Sequence, residues 1–344
     1  METTSLVLYE SVNISNVILL NYLFNSRYIF VFNKFWLIYI KFKIQLCNIQ
    51  YMQISAILSD YDGTLIPTSL LNPNNNDIKK EAFDNNNISK TELERVLWEI
   101  SSKITIGIIS TKDFNFLHYR TRFANILSCM MSVETIIIKH IESDVCNRYS
   151  CVQKSMINID AEILRKKSQK LYHIIDRISS RFSDLSIDKK LTFNQTLLAG
   201  ITIDWRHLDD WNSIKKEVET FILNMINNET NNNSSENQLF VQKYSTHPFI
   251  DIYSTFCSKE IAYDNLCKNI QLHFNKLDSQ KIMYLGDSEN DNPAFRKADI
   301  SIGIKSDERL NPKLDCQYLI NFNQLPKFLM NLLKNDFIFS EKLL

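Results

Sequence analysis

At 344 residues the chain is long enough for roughly two domains. Its hydrophobic fraction of 44% and charged fraction of 23% are those of a globular protein rather than a disordered or fibrous one. Lys plus Arg and Asp plus Glu number 39 each, so no net field draws the chain toward nucleic acid or an anionic membrane.

Seven scattered cysteines, an odd number, do not read as a disulfide framework. Cys146 and Cys151 are the closest pair, but no second pair or His cluster completes a zinc site. Free thiols in a reducing cytoplasm are the expectation.

In chain order, the first fifty residues stand apart. Residues 17–42 are rich in Ile, Leu, Phe and Tyr but are interrupted by Asn21, Asn25, Arg27, Asn33, Lys34 and Lys41. A spanning helix needs about 20 nearly uninterrupted apolar residues, so no membrane association is expected. A signal peptide's short apolar core and small-residue cleavage site are missing as well. Met52 opens Met-Gln-Ile-Ser-Ala-Ile-Leu-Ser-Asp, a sensible first core strand. Residues 1–51 are therefore set aside as an extension outside the fold: sequence upstream of the true start, an appended interfacial segment, or an anchor.

From there short β-branched runs alternate with longer amphipathic ones. Strands are expected at 54–59, 104–109 and 134–138, with helices at 91–100 and 114–127 between them. The alternation resumes with a helix at 258–274, a strand at 282–285, a helix from Pro293 and a strand at 300–304. Strands alternating with helices imply a doubly wound parallel sheet, an α/β core. The middle block, 144–250, differs: helices at 161–182 and 211–227 are interleaved with β-runs at 191–193, 198–205 and 239–244. This reads as an inserted α+β domain, placed at the edge of the sheet where ligands bind. Asn-rich stretches at 72–77, 85–87 and 227–237 read as surface loops. The expected division is a core of 52–143 and 251–344, with a cap of 144–250.

Chemistry concentrates at two strand ends. Asp60-Tyr61-Asp62-Gly63-Thr64-Leu65 follows the first strand and puts two carboxylates where both can converge on one cation. Gly63 permits a tight turn whose amides can hold phosphate oxygens. Gly286-Asp287-Ser288-Glu289-Asn290-Asp291-Asn292-Pro293 follows another strand and adds Asp287 and Asp291, with Pro293 suited to a first helical turn. Four crowded carboxylates repel unless a cation neutralises them. An all-oxygen ligand set suits Mg²⁺ rather than zinc.

Together these motifs resemble the haloacid dehalogenase (HAD) superfamily over residues 52–333. The resemblance rests on Asp60-x-Asp62-Gly63-Thr64, a strand ending in Ser110, Lys259 opening a helix, and Gly286-Asp287-x-x-Asn290-Asp291. The insert resembles the C2-type cap of the sugar-phosphatase-like and phosphoglycolate-phosphatase-like branch. The resemblance implies a phosphoric monoester hydrolase acting on a small phosphorylated metabolite: a sugar phosphate, a glycosyl-phosphoglycerate or phosphoglycolate. It also implies that Asp60 is the nucleophile and forms an aspartyl-phosphate, and that Asp62 is the general acid and base. Asp60, Asp62, Asp287 and Asp291 would hold Mg²⁺, while Ser110, Lys259 and Asn290 would serve the phosphate. Ser110-Thr111-Lys112-Asp113 departs from the Gly-Arg common after the second motif and is closer to the mannosylglycerate-phosphatase pattern.

In the insert, Asp204, Arg206 and His207 are candidates for binding a polar ligand, and residues 244–248, with His247, form the return hinge. Two rivals stand beside the phosphatase: a phosphomutase of the same fold, which would need a second anion site, and a non-catalytic binding protein. The sequence does not speak to oligomeric state.

Overall fold

The computed structural model describes residues 52–67, 92–142, 148–208, 210–229, 238–244, 248–274, 281–305 and 312–344. The 1–51 extension, two Asn-rich stretches (72–77 and 85–87), Cys146 and His247 lie outside them. Residues 52–344 form one compact unit. Among the described residues no helix is long and apolar enough to cross a membrane.

Strands β1 (Met52–Ser59), β2 (Thr105–Ile109), β3 (Ile126–Cys129), β4 (Glu134–Glu142) and β5 (Arg148–Ile157) belong to the first half of the chain. The insert supplies β6 (Ser186–Leu191), β7 (Leu198–Asp204), β8 (Phe240–Lys243) and β9 (Phe249–Tyr253). After it come β10 (Lys281–Gly286), β11 (Ile300–Lys305), β12 (Tyr318–Asn321) and β13 (Ile338–Phe339). One sheet runs in the order β12-β11-β10-β1-β2-β3-β4-β5, with β13 paired to β1. From β12 to β3 every neighbour is parallel, and β4 and β5 extend the edge antiparallel.

Parallel strands are buried on both faces, which explains their unbroken apolar runs. Alternate residues of β1 go to opposite sides. Ile57 joins the core beneath the helix at 92–101 and the helix Leu325–Lys334, while Ala56 and Leu58 pack under the helix Lys259–Phe274. This is the α/β doubly wound sheet the alternation implied.

Two sequence expectations are corrected here. The helix expected at 114–127 ends at His118, and 126–129 is strand β3. Just before β3, Asn125 Oδ1 accepts the Ile106 amide at 2.7 Å, stitching the chain to β2. Four residues, Ile126 to Cys129, carry no periodicity to separate strand from helix. Residues 148–157, expected within the insert, pair with β4 in the large sheet along their full length.

The rest of the insert carries its own antiparallel sheet, ordered β6-β7-β9-β8. Its strands alternate strictly. Ile201, Ile203, Ile250 and Ile252 pack against the helices Ala161–Arg181 and Trp211–Glu229. The opposite face carries Asp188 and Lys190 on β6, Thr202 and Asp204 on β7, and Asp251 and Tyr253 on β9, in register across the sheet.

Candidate active site

β1 lies between β10 and β2, the point in the strand order where connections diverge to either side, and a crevice opens outside such strand ends. Asp60 follows β1 directly, and its amide donates to Leu285 O at 2.9 Å. That bond locks the first motif to the end of β10, so Asp60 and Asp287 meet. One carboxylate oxygen each from Asp60, Asp287 and Asp291 lies within 4.8 Å of the others.

Two glycines make this crowding possible. Gly63 sits at φ +87°, and a Cβ there would stand 1.9 Å from Asp287 Oδ2. A Cβ on Gly286 would stand 2.5 Å from Asp291 Cγ. Each glycine therefore yields its side-chain space to a carboxylate. Thr64 Oγ1 donates to Asp287 Oδ1 at 3.0 Å and orients it.

Lys259 opens its helix as expected, with Ser258 Oγ accepting from the Ile261 amide at 3.2 Å. Its Nζ lies 2.8 Å from Asp60 Oδ2 and 2.6 Å from Asp291 Oδ1. Burial alone would lower the ammonium's pKa, but Asp291 and Asp60 outweigh it and raise it. Asp291 is fully engaged. Its Oδ1 also accepts from Tyr284 Oη at 2.6 Å, and its Oδ2 accepts from the Ser288 amide and hydroxyl and the Asp287 amide. It aims Lys259 and ties down the loop. Asn290 lies in the short turn Glu289–Asp291, and its side chain makes no hydrogen bond to Lys259 among the described residues.

Ser110 ends β2, beside β1, and is buried. Its Oγ accepts from the Lys112 amide at 3.1 Å. The turn is held from behind by Met130 and Met131, whose amides donate to Lys112 O and Ser110 O. Met130, Met131 and Ser132 all have positive φ, so this support is conformationally costly for non-glycine residues.

The charges do not balance. Burial, Asp291 and Asp287 hold the Asp60 carboxyl well above the usual range, although Lys259 opposes them. Burial and Asp291 push Asp287 up to about 7. Burial also raises Asp62, whose buried Oδ1 has no hydrogen-bond partner. Among the described residues Lys259 is the one cation paired with the cluster of Asp60, Asp287 and Asp291. A hard divalent cation fits this all-oxygen cluster, with its glycine-cleared approach and its surplus of negative charge.

Above the site, the polar face of the insert sheet turns toward the core. Lys112 Nζ reaches Asp188 on β6 at 3.7 Å. In the middle of that face Lys190 Nζ lies 2.6 Å from Asp251 Oδ1 and donates to Tyr253 Oη at 3.0 Å. Thr202 and Tyr244 complete the carboxylate's bonds. The β6–β7 hairpin is fastened to the core by two carboxylates: Asp113 Oδ2 accepts the Leu191 amide at 3.1 Å, and Glu134 accepts the Phe193 amide at 3.0 Å. None of Asp113, Glu134, Lys190 and Asp251 stands out as a site residue in the sequence. The period-two polar stripe opposite the isoleucines was the available signal. Of the expected insert residues, Asp204 accepts three hydrogen bonds from Arg206, one from its amide and two from its guanidinium, and His207 Nε2 lies 2.6 Å from Asp184 O.

No protein-family profile and no curated protein matches the chain. Solved structures do. A trehalose-6-phosphate phosphatase related protein superposes with a TM-score of 0.51 at 15% identity, covering 81% of this chain and 96% of that one. The C-terminal domain of C. albicans trehalose-6-phosphate phosphatase gives 0.50 at 16% identity, covering 81% and 93%. The chain shares the fold of these two structures. Identity this low speaks for the fold, so the activity has to be argued from residues. Within this fold, the acidic cluster occupies the crevice at the strand ends, and in chain order the inserted sheet falls between β5 and the helix that Lys259 opens.

Proposed function

We propose that this protein is a Mg²⁺-dependent phosphatase that cleaves a small phosphate monoester through an aspartyl-phosphate on Asp60. The observation that carries the reading is Lys259, buried between Asp60 and Asp291 in a cluster that still holds excess negative charge. A plain structural ion pair would need one carboxylate, not several.

In this reading Asp60, the backbone carbonyl of Asp62 and Asp287 would hold Mg²⁺, with Asp291 in support. When bound, the metal offsets the repulsion between Asp60 and an incoming phosphate and organises its oxygens. Asp60 attacks phosphorus. Asp62, half-buried and raised toward its acid form, gives a proton to the leaving oxygen and then takes one from the hydrolytic water. Lys259 and Ser110 bind the equatorial oxygens, where charge builds. The insert acts as a cap that excludes water and meets the leaving group, and 158–250 is the stretch we assign to it.

Phosphate release from p-nitrophenyl phosphate and a panel of phosphorylated metabolites, with and without Mg²⁺, tests the reading. Mg²⁺-dependent turnover that Asp60→Asn abolishes is the expected result. Turnover that survives that substitution removes the nucleophile.

A further inference from the structure

The insert meets the core along the free edge of its sheet. β6 ends the strand order of that sheet, and Thr192 just beyond it donates its amide to Leu197 O across the hairpin. Successive amides of an extended chain point to opposite sides, so those of Leu191 and Phe193 face outward and need acceptors from elsewhere. The core supplies a carboxylate for each. Asp113 Oδ2 accepts from Leu191 at 3.1 Å, and Glu134 Oε2 accepts from Phe193 at 3.0 Å. Both carboxyl groups are buried, where a charge is costly unless donors surround it. The Phe193 ring also meets Phe114 edge-on at 4.9 Å, which adds an apolar contact to the two polar ones.

Both carboxylates stand on the segments that shape the Ser110 turn. Asp113 closes the run Ser110-Thr111-Lys112-Asp113, and its other oxygen accepts the Phe116 amide at 3.0 Å, capping the short helix there. Glu134 follows the strained turn Met130–Ser132, which holds Lys112 O and Ser110 O through the amides of Met130 and Met131 at 2.9 and 2.8 Å. The insert also begins against that turn. Asn158, just after β5, donates its amide to Val133 O at 2.9 Å and its side chain to Ser132 O at 2.6 Å. We propose that Asp113 and Glu134 are positioning residues: they seat the hairpin edge of the insert on the Ser110 turn and set where the insert stands over a bound ester. The inference rests on the phosphatase reading, with the insert as the surface that the leaving group meets. A displaced insert then costs rate for esters whose leaving group reaches it, because a misplacement of about 1 Å can cost a hundredfold in an oriented reaction. Inorganic phosphate, which has no leaving group, does not sense the displacement.

The test uses the full chain with Mg²⁺ and two substrates: p-nitrophenyl phosphate, whose leaving ring is large, and acetyl phosphate, whose leaving acetate is small. Asp113→Ser keeps an oxygen that caps the helix but loses the reach to Leu191. Glu134→Met removes the acceptor of the Phe193 amide, whereas Glu134→Gln keeps one. We expect Asp113→Ser and Glu134→Met each to lower kcat/KM for p-nitrophenyl phosphate about tenfold relative to acetyl phosphate, the equivalent of ~1.4 kcal/mol. Glu134→Gln should restore the parent's ratio, and the inhibition constant of inorganic phosphate should stay within about twofold in all three variants. Equal losses for both substrates mark a joint that only holds the fold together. That result, an unchanged ratio, or a Glu134→Gln loss as large as that of Glu134→Met overturns the positioning role while the phosphatase stands. Either position decides the question if the variant at the other does not fold. Should the parent turn over neither substrate, the phosphatase reading fails and the positioning role falls with it.

Discussion

Two buried lysines, both held by aspartate at 2.6 Å, mark the two halves of the molecule. In the insert, Lys190 meets the single carboxylate of Asp251, and Thr202, Tyr244 and Tyr253 satisfy what remains. One charge meets one charge, and the set is closed. In the core, Lys259 meets Asp60 and Asp291 with Asp287 alongside, and the set stays open toward negative charge. Their electrostatics differ in sign. Burial lowers the Lys190 pKa despite its one partner, whereas two carboxylates overcome burial and raise that of Lys259. An ion pair by itself therefore says little. The uncancelled carboxylates around Lys259 are what point to a bound cation and to chemistry.

The largest effect should come from opening the closed set. Lys190→Met strands a buried Asp251 carboxylate and should cost about 3–5 kcal/mol in urea unfolding. The double variant Lys190→Met/Asp251→Leu should recover most of that loss. If the single variant is harmless, the insert network is not a closed pair.

Lys259→Met should act on rate. Losing a charge that stabilises the transferring oxygens lowers kcat by about 10²–10³-fold, ~2.7–4 kcal/mol of barrier. Turnover close to that of the parent would place Lys259 with Lys190, as a structural partner.

Mg²⁺ separates the two regions a third way. At 100 times its dissociation constant it should add about 2.7 kcal/mol to folding stability. That gain should vanish in Asp287→Asn and persist in Lys190→Met. Equal gains in both variants would place the cation elsewhere.

The smallest contrast lies in two tyrosines, each donating to the aspartate of its own lysine: Tyr244 to Asp251 and Tyr284 to Asp291. Each Tyr→Phe change should cost about 1.5 kcal/mol, a typical value for a hydrogen bond to a charged group. Only Tyr284→Phe should also slow turnover by loosening the support of Lys259.

The residues that cluster at the core strand ends were legible in the sequence because their signals are local. Asp60 and Asp287 follow apolar strands, and each motif carries its own glycine, although the carboxylate that Gly63 makes room for is that of the distant Asp287. Lys259 was readable from its place at a helix start, although its partners were not. What escaped depends on contacts distant in sequence. Glu134 and Phe193 lie 59 residues apart, and Lys190 and Asp251 lie 61 apart. No spacing rule joins such pairs before the strands register. Strand β3 escaped because four residues, Ile126 to Cys129, are too few to show a period, and the Asn125 bond that anchors them to β2 is tertiary. The β4–β5 pairing escaped because no local signal divides 148–157 from the insert beyond it; the ladder to β4 alone assigns that strand to the large sheet.

One experiment reaches the central claim directly. The enzyme is mixed with p-nitrophenyl phosphate and Mg²⁺, quenched during turnover, reduced with borohydride and digested for peptide mass analysis. An aspartyl-phosphate on Asp60 is converted to homoserine, so the account predicts that mass change at residue 60, in amounts that track turnover and disappear without Mg²⁺. Steady phosphate release with residue 60 unmodified would contradict it.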